Sequence, residues 1–368
     1  MARGLGIFRG LALAVAGVTL ALALAAGCGG SEASTPSDEE LAKIAEEINE
    51  SVPNVGLGEG SPPPPDAAAW KTDFSKRLVP LEEFQSGGPP KDGIPAIDNP
   101  RFTPAEDVDW LEDREPVIAV TVGDETRAYP IQILVWHEIA NDRIGDVPVA
   151  VTFCPLCNTA IVFDRRLDGD VLSFGTTGKL RESDLVMYDR KTESWWQQFG
   201  GKALVGTLAG AELRELPARI LSWDEFRNNH PTGLVLNKDT GFFREYGANP
   251  YAGYDSVDSP PIFATRGDDD DRLPPKERVV YVEVGDEAFA VPFPSLVEQR
   301  SIAVDTDEGE LIVRWRPGVA SALDEVTIAG GRDVGAASVL LGGEPVPFSE
   351  PFWFAVAALR PDIEIVDG

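Results

Sequence analysis

The chain has 368 residues, 43% of them hydrophobic, and a formal net charge of −29. That acid excess argues against nucleic acid or anionic lipid headgroups as partners and suits a solvated acidic surface. Only three cysteines and two histidines are present, so soft-ligand or thiol chemistry has few places to sit.

The N-terminus combines Arg3 and Arg9, an apolar run from Leu11 to Ala26, and then Ala25-Ala-Gly-Cys28. A charged start, a short apolar run and small residues before a cysteine predict a lipoprotein signal over 1–28, with Cys28 as the lipidated residue. As a transmembrane helix the run would be near the lower length limit, and it breaks at Gly27, Gly29 and Gly30. The expected address is the extracytoplasmic face of a cell membrane, held by the lipid anchor alone. Residues 29–93 are rich in Ser, Pro, Gly and acid around Ser61-Pro-Pro-Pro-Pro65, which predicts a flexible stalk with one short helix from Asp38 to Glu50.

Beyond the stalk, Val117 to Ala160 aligns without a gap on Val279 to Ala322, best where VGDETRAYPIQIL at 122–134 meets VGDEAFAVPFPSL at 284–296. Both copies predict strand, Gly-Asp turn, strand ending at proline, and an apolar-periodic segment. A second match sets Ser222-Trp-Asp-Glu-Phe with His230-Pro231 over Phe352-Trp-Phe-Ala-Val with Arg360-Pro361. The expected fold is therefore α+β and β-rich, with two tandem related units at 95–255 and 276–368 joined by an acidic linker at 256–275. Val171 to Leu213 has no counterpart and predicts an inserted layer of strands over the first unit.

Cys154 and Cys157 lie in that first unit, between an apolar run ending at Phe153 and β-branched Thr159 to Phe163. The flanks predict strand, tight turn, strand, without the helix N-terminus that activates a thioredoxin-type cysteine. A CxxC spacing has three readings: half a metal site, a redox dithiol or a small disulfide. Opposite Cys154, Cys157, His137 and His230 the second unit carries Arg316, Val319, Gln299 and Arg360. A fold that forms without these ligands does not need them, which favours a site with a task over a structural zinc.

The metal reading uses Cys154, Cys157 and His137, with His230 and Met187 as lesser candidates. This soft set favours Cu(I), with Zn(II) second, for metal handling or electron transfer with a protein partner. The rival is thiol–disulfide exchange by Cys154 and Cys157, because an unmetallated CxxC outside the cell tends to oxidise. A third reading is a non-catalytic module that binds a ligand or partner through Trp195, Trp196, Tyr246 and Tyr251. Gly175-Thr-Thr-Gly-Lys-Leu180 lacks the spacing of a phosphate loop, and Asp268 to Asp271 lacks that of a calcium loop.

Trp136-His137-Glu138, Phe153-Cys-Pro-Leu-Cys-Asn-Thr-Ala160, Gly178-x-Leu180, the MYDR block at 187–190 and His230-Pro231 together resemble a bacterial and archaeal family of domains of unknown function, numbered 3179. The resemblance covers residues 95–255 well and extends more weakly to the C-terminus. It implies secreted or membrane-anchored proteins, and it marks Tyr246-Gly247 and Pro250-Tyr251-x-x-Tyr254 as signature positions. It brings no assigned reaction.

Overall fold

A computed structural model describes residues 64–368; the expected signal with Cys28, the stalk up to residue 63 and the helix expected over 38–50 lie outside the described residues. Strands dominate. Among the described residues the α-helices have seven residues each: α1 (Ile131–His137), α2 (Trp223–Asn229), α3 (Phe293–Gln299) and α4 (Trp353–Leu359). The first three start where a strand ends, and α4 follows Phe352, which makes an isolated bridge to Arg278. Pro130 and Pro292 stop the strands before α1 and α3, and the Ser222 hydroxyl caps α2 by accepting from the Glu225 N–H at 3.1 Å. Helices α2 and α4 end before His230-Pro231 and Arg360-Pro361, since a residue ahead of proline avoids helical backbone.

Five sheets of three to five strands make up the body. The first holds Pro116–Val122, Glu125–Pro130 and Ala218–Ser222, followed beyond Glu125–Pro130 by the short strands Leu234–Leu236 and Phe102–Pro104. The second holds Ile139–Ile144, Val147–Cys154, Thr159–Asp164 and Glu215–Leu216. The third is built mainly from Phe174–Arg181, Asp184–Asp189, Trp195–Gln197 and Ala203–Val205. Val279–Val284 and Glu287–Pro292 carry the fourth; Ser301–Thr306, Gly309–Arg316 and Ala336–Leu341 carry the fifth. Ala218–Ser222 touches Thr159–Asp164, and Ile139–Ile144 touches Phe174–Arg181. Phe199 then meets Tyr281, with ring centroids 4.7 Å apart and the planes tilted by 47°. Helix α3 links sheets four and five, and Ala336–Leu341 returns to Ala218–Ser222. The sheets thus close a ring, the arrangement of a five-bladed β-propeller.

The expected α+β fold of two tandem units, 95–255 and 276–368, is overturned by this ring. Both stretches do run hairpin, seven-residue helix, hairpin, but each pair of hairpins belongs to two neighbouring blades of the one ring; Val280, Phe289, Leu296, Val313 and Val339, for example, pack together between the fourth and fifth blades. A single apolar cluster runs from Ile118, Phe153 and Cys157 to Val319, Leu323, Phe352 and Phe354. A blade has two faces to bury, and in a ring it buries them on two neighbours, so local repetition does not make an autonomous unit. The segment 256–275 does not separate two bodies either. The Arg266 N–H donates to the Glu182 carboxylate at 2.8 Å, and the Trp353 indole to Asp270 at 3.3 Å. The strands expected over 171–213 exist, but they form the third blade rather than a layer laid over another fold.

Residues 64–93, expected to belong to the flexible stalk, instead pack on the third blade. Trp70, Phe74 and Phe84 set their rings edge-on around Trp195, with centroids 5.2 to 5.3 Å away. Gln85–Ser86 pairs with Phe174–Arg181. Proline-rich composition hid these aromatic anchors, each of which removes a large apolar surface from water. Gly178 explains the glycine motif at 175–180: its φ is +71°, and a Cβ there would stand 1.9 Å from the Pro89 carbonyl oxygen.

Candidate functional site

Val147–Cys154 and Thr159–Asp164 form a hairpin whose last pair is Cys154 and Thr159, so both cysteines sit on a tight turn between strands, as their flanks predict. Asn158 closes the turn with φ 58°, a left-handed conformation that Asn tolerates. Other blades and loops hold the turn in place. The Asn158 amide donates to the Glu350 carbonyl at 2.7 Å, the Tyr254 hydroxyl to the Leu156 carbonyl at 2.9 Å, and the Phe352 N–H to the Cys157 carbonyl at 2.9 Å.

Both thiols are free and buried, with 1% and 0% exposure for Cys154 and Cys157. The Cys157 sulfur lies 3.1 Å from Asp184 Oδ1 and 3.0 Å from Thr159 Oγ1, while the Cys154 sulfur lies 3.9 Å from the Ser183 carbonyl. The two sulfurs and one Asp184 oxygen all fall within 4.8 Å of one another. Asp184 comes from the third blade, directly after Glu182 and Ser183, whose φ angles of 53° and 57° make a tight hairpin turn without glycine. The Phe199 N–H at 2.9 Å and the Gln197 amide donate to its other oxygen. Among the described residues eight that are not glycine have positive φ, and Glu138, Asn158, Glu182 and Ser183 are four of them. Backbone strain held by its surroundings concentrates at functional sites, and here it gathers around one set of side chains.

Burial pushes both cysteine thiols up, Cys157 well above the ordinary range, and the Asp184 charge acts in the same direction. Burial also raises Asp184 against the hydrogen bonds that favour its ionised form. Glu138, at the end of α1, is pushed up to about 8 by burial and by Asp184. At neutral pH the cluster therefore holds protons that a bound cation would release.

The remaining predicted ligands stand elsewhere. His137 is buried with both ring nitrogens engaged, Nδ1 with the Pro95 carbonyl and Nε2 with the Tyr246 hydroxyl, each at 2.7 Å. Because a carbonyl only accepts, Nδ1 carries the proton and Nε2 accepts from Tyr246, which leaves no lone pair for a metal. His230 rests against Phe226 at the end of α2, outside the cysteine cluster. Met187 is buried in the core, and strand alternation turns it to the face opposite Asp184. Trp195 and Trp196 are both buried, Trp195 under residues 70–84 and Trp196 against Phe174. Tyr246 serves His137, whereas burial raises the Tyr251 hydroxyl and the charges of Glu138 and Cys154 act on it in the same direction.

Asp184 and Glu138 do not stand out as ligands in the sequence. The signal for Asp184 was an acid directly after a polar two-residue turn, at the start of a strand otherwise apolar to Met187. Only the pairing of blades two and three brings it to the cysteines. A family profile described as "Protein of unknown function (DUF3179)" matches residues 91–363, a span that includes the CxxC turn, Asp184 and the whole of α4. No curated protein and no solved structure shows significant similarity. With nearly three quarters of its length matched, this chain belongs to the DUF3179 family.

Proposed function

We propose that the protein binds a borderline-soft metal cation through Cys154, Cys157 and Asp184, with Zn(II) ahead of Cu(I), and that it handles this metal outside the cell. The observation behind this reading is the convergence of two thiol sulfurs and a carboxylate oxygen within 4.8 Å in a buried, strained setting. A carboxylate in place of imidazole or thioether hardens the donor set, which moves the preference from Cu(I) toward Zn(II). Glu138, whose charge acts on Cys154, and which Asp184 raises, is the candidate fourth donor.

The test is metal analysis after anaerobic purification and loading with zinc or copper, with a thiol count on the same sample. One zinc per chain in wild type and none in Cys154→Ser/Cys157→Ser is expected. Metal retained by the double variant would mean that other residues bind it. A second reading, dithiol–disulfide exchange, is favoured by the 3.1 Å contact that lets Asp184 take the Cys157 proton. Burial of both sulfurs weighs against it, since exchange needs an accessible sulfur. Metal-free wild type with a reducible disulfide between residues 154 and 157 would select that reading.

The lipid anchor remains a proposal resting on Ala25-Ala-Gly-Cys28. Among the described residues no helix is long and apolar enough to cross a membrane. Radioactive palmitate should label wild type and leave Cys28→Ala unlabelled; equal labelling of both would refute the anchor.

A further inference from the structure

Where the ring closes, a groove of about 530 Å³ opens between the first and fifth blades, lined by Arg219, Arg314, Arg316, His230, Val346 and Phe348 among others. Arg314 and Arg316 alternate with buried Val313 and Trp315 along Gly309–Arg316, so both guanidinium groups stand on the same face of the fifth blade. Arg219 reaches in from Ala218–Ser222 of the first blade. Against these three cations the ion pairs of the described residues place one carboxylate, Glu225, 2.7 Å from Arg219 and 3.9 Å from Arg316. Arg314 is exposed and has no ion pair or side-chain hydrogen bond among the described residues.

In a chain with 61 acidic and 32 basic side chains, a net positive recess runs against the surrounding field. Beside the cations, Val346 and Phe348 stay half-buried, so the groove pairs an apolar wall with a cationic rim. Guanidinium forks take planar or tetrahedral oxyanions through paired hydrogen bonds, and a half-buried aromatic wall takes an apolar body.

We propose that this groove binds a small amphipathic organic anion, with its phosphate or carboxylate head on Arg314, Arg316 and Arg219 and its apolar body against Val346 and Phe348. This site is separate from the cysteine cluster and does not rest on the metal reading. His230, unconnected to the cysteines, takes a place in its lining.

Isothermal titration of the full chain in non-ionic detergent tests it with four water-soluble probes: phenyl phosphate, 3-phenylpropionate, inorganic phosphate and phenol. One of the two amphipathic anions should saturate a single site at least about tenfold more tightly than inorganic phosphate or phenol, and the stronger of the two identifies the head group. Arg314→Ala/Arg316→Ala should weaken that binding by about tenfold or more, and Arg314→Glu alone should act in the same direction. Lys191→Ala, an exposed cation paired with Asp170 on another part of the surface, should leave it unchanged. The proposal is overturned if no probe saturates, if inorganic phosphate or phenol binds as tightly as the amphipathic anions, or if the folded arginine variants bind like wild type. Loss of binding in Cys154→Ser/Cys157→Ser would overturn the independence of the two sites.

Discussion

Asp184 is the residue on which the cysteine site turns. It is the third donor of the proposed metal site and, through Phe199 and Gln197, ties the turn after Arg181 to the third blade. Asp184→Asn keeps the shape and an acceptor for the Phe199 N–H but removes the charge. It should lower zinc affinity by at least about tenfold while the chain stays folded, as read by competition with a chromogenic chelator. An unchanged affinity would take Asp184 out of the ligand set. A different carboxylate governs pH dependence. Burial raises Glu350 from its ordinary value of 4.5 to about 7, despite the N–H of Ala337 and the nearby charge of Arg278. The folded state then keeps a proton that the unfolded chain has released. Stability contributed by the protonated group is full below about 4.5 and is lost as pH rises toward 7. The slope from one such group is at most about 1.4 kcal/mol per pH unit, and Glu138 and Glu215, also raised by burial, add to it with the same sign. Urea midpoints measured from pH 5 to 7.5 should fall in wild type and fall less steeply in Glu350→Gln. Parallel curves would show that Glu350 ionises normally in the fold.

At the scale of elements, the third blade depends on the segment that precedes the family domain. Trp195 is fully buried under Trp70, Phe74 and Phe84, and Lys91 lies 4.3 Å over the Trp70 ring. Trp195→Ala removes that hub and should destabilise the protein by about 3–5 kcal/mol. A narrower break is available at Gly178. Gly178→Ala would drive a methyl group into the Pro89 carbonyl at a left-handed position, so residues 85–93 must leave the strand they border. Limited proteolysis should then cut the variant between residues 64 and 93 while the blades persist; a wild-type digestion pattern would show that the crossing relaxes without detaching. Proline content alone suggested a stalk here because composition records the turns in a segment and not the aromatic side chains that fasten it.

For the whole molecule, the closed ring predicts cooperativity. Apolar contacts pass from Ile118 through Phe153 to Leu323 and Phe352 without a boundary, and the Ala320 N–H donates to the Arg114 carbonyl at 2.8 Å across blades. Urea unfolding followed by tryptophan fluorescence and by far-ultraviolet circular dichroism should give coincident single transitions. Residues 276–368 expressed alone should be unfolded, because their blades lose the neighbours that cover their outer faces. A folded fragment with its own transition would restore autonomy to that stretch.

By itself the sequence determined what local chemistry controls. Alternating and β-branched residues placed the strands around Cys154 and Cys157, the prolines at 130 and 292 marked where strands hand over to helices, and the repeated Gly-Asp block announced hairpins of the same build. Family membership was legible for the same reason, since FCPLCNTA is a contiguous motif. Tertiary structure alone decided which elements share a core and which side chains meet. His137 reads as a ligand because it lies in the cysteine-bearing stretch while Gln299 stands opposite it in the repeat, yet Tyr246, far along the chain, occupies its free nitrogen. Asp184 looked like the start of a strand, yet the packing of the third blade on the second turns it toward Cys157. Strand and turn propensities act over a few residues, whereas a ring of blades closes through contacts between residues distant in sequence, and the candidate site lies where those contacts converge.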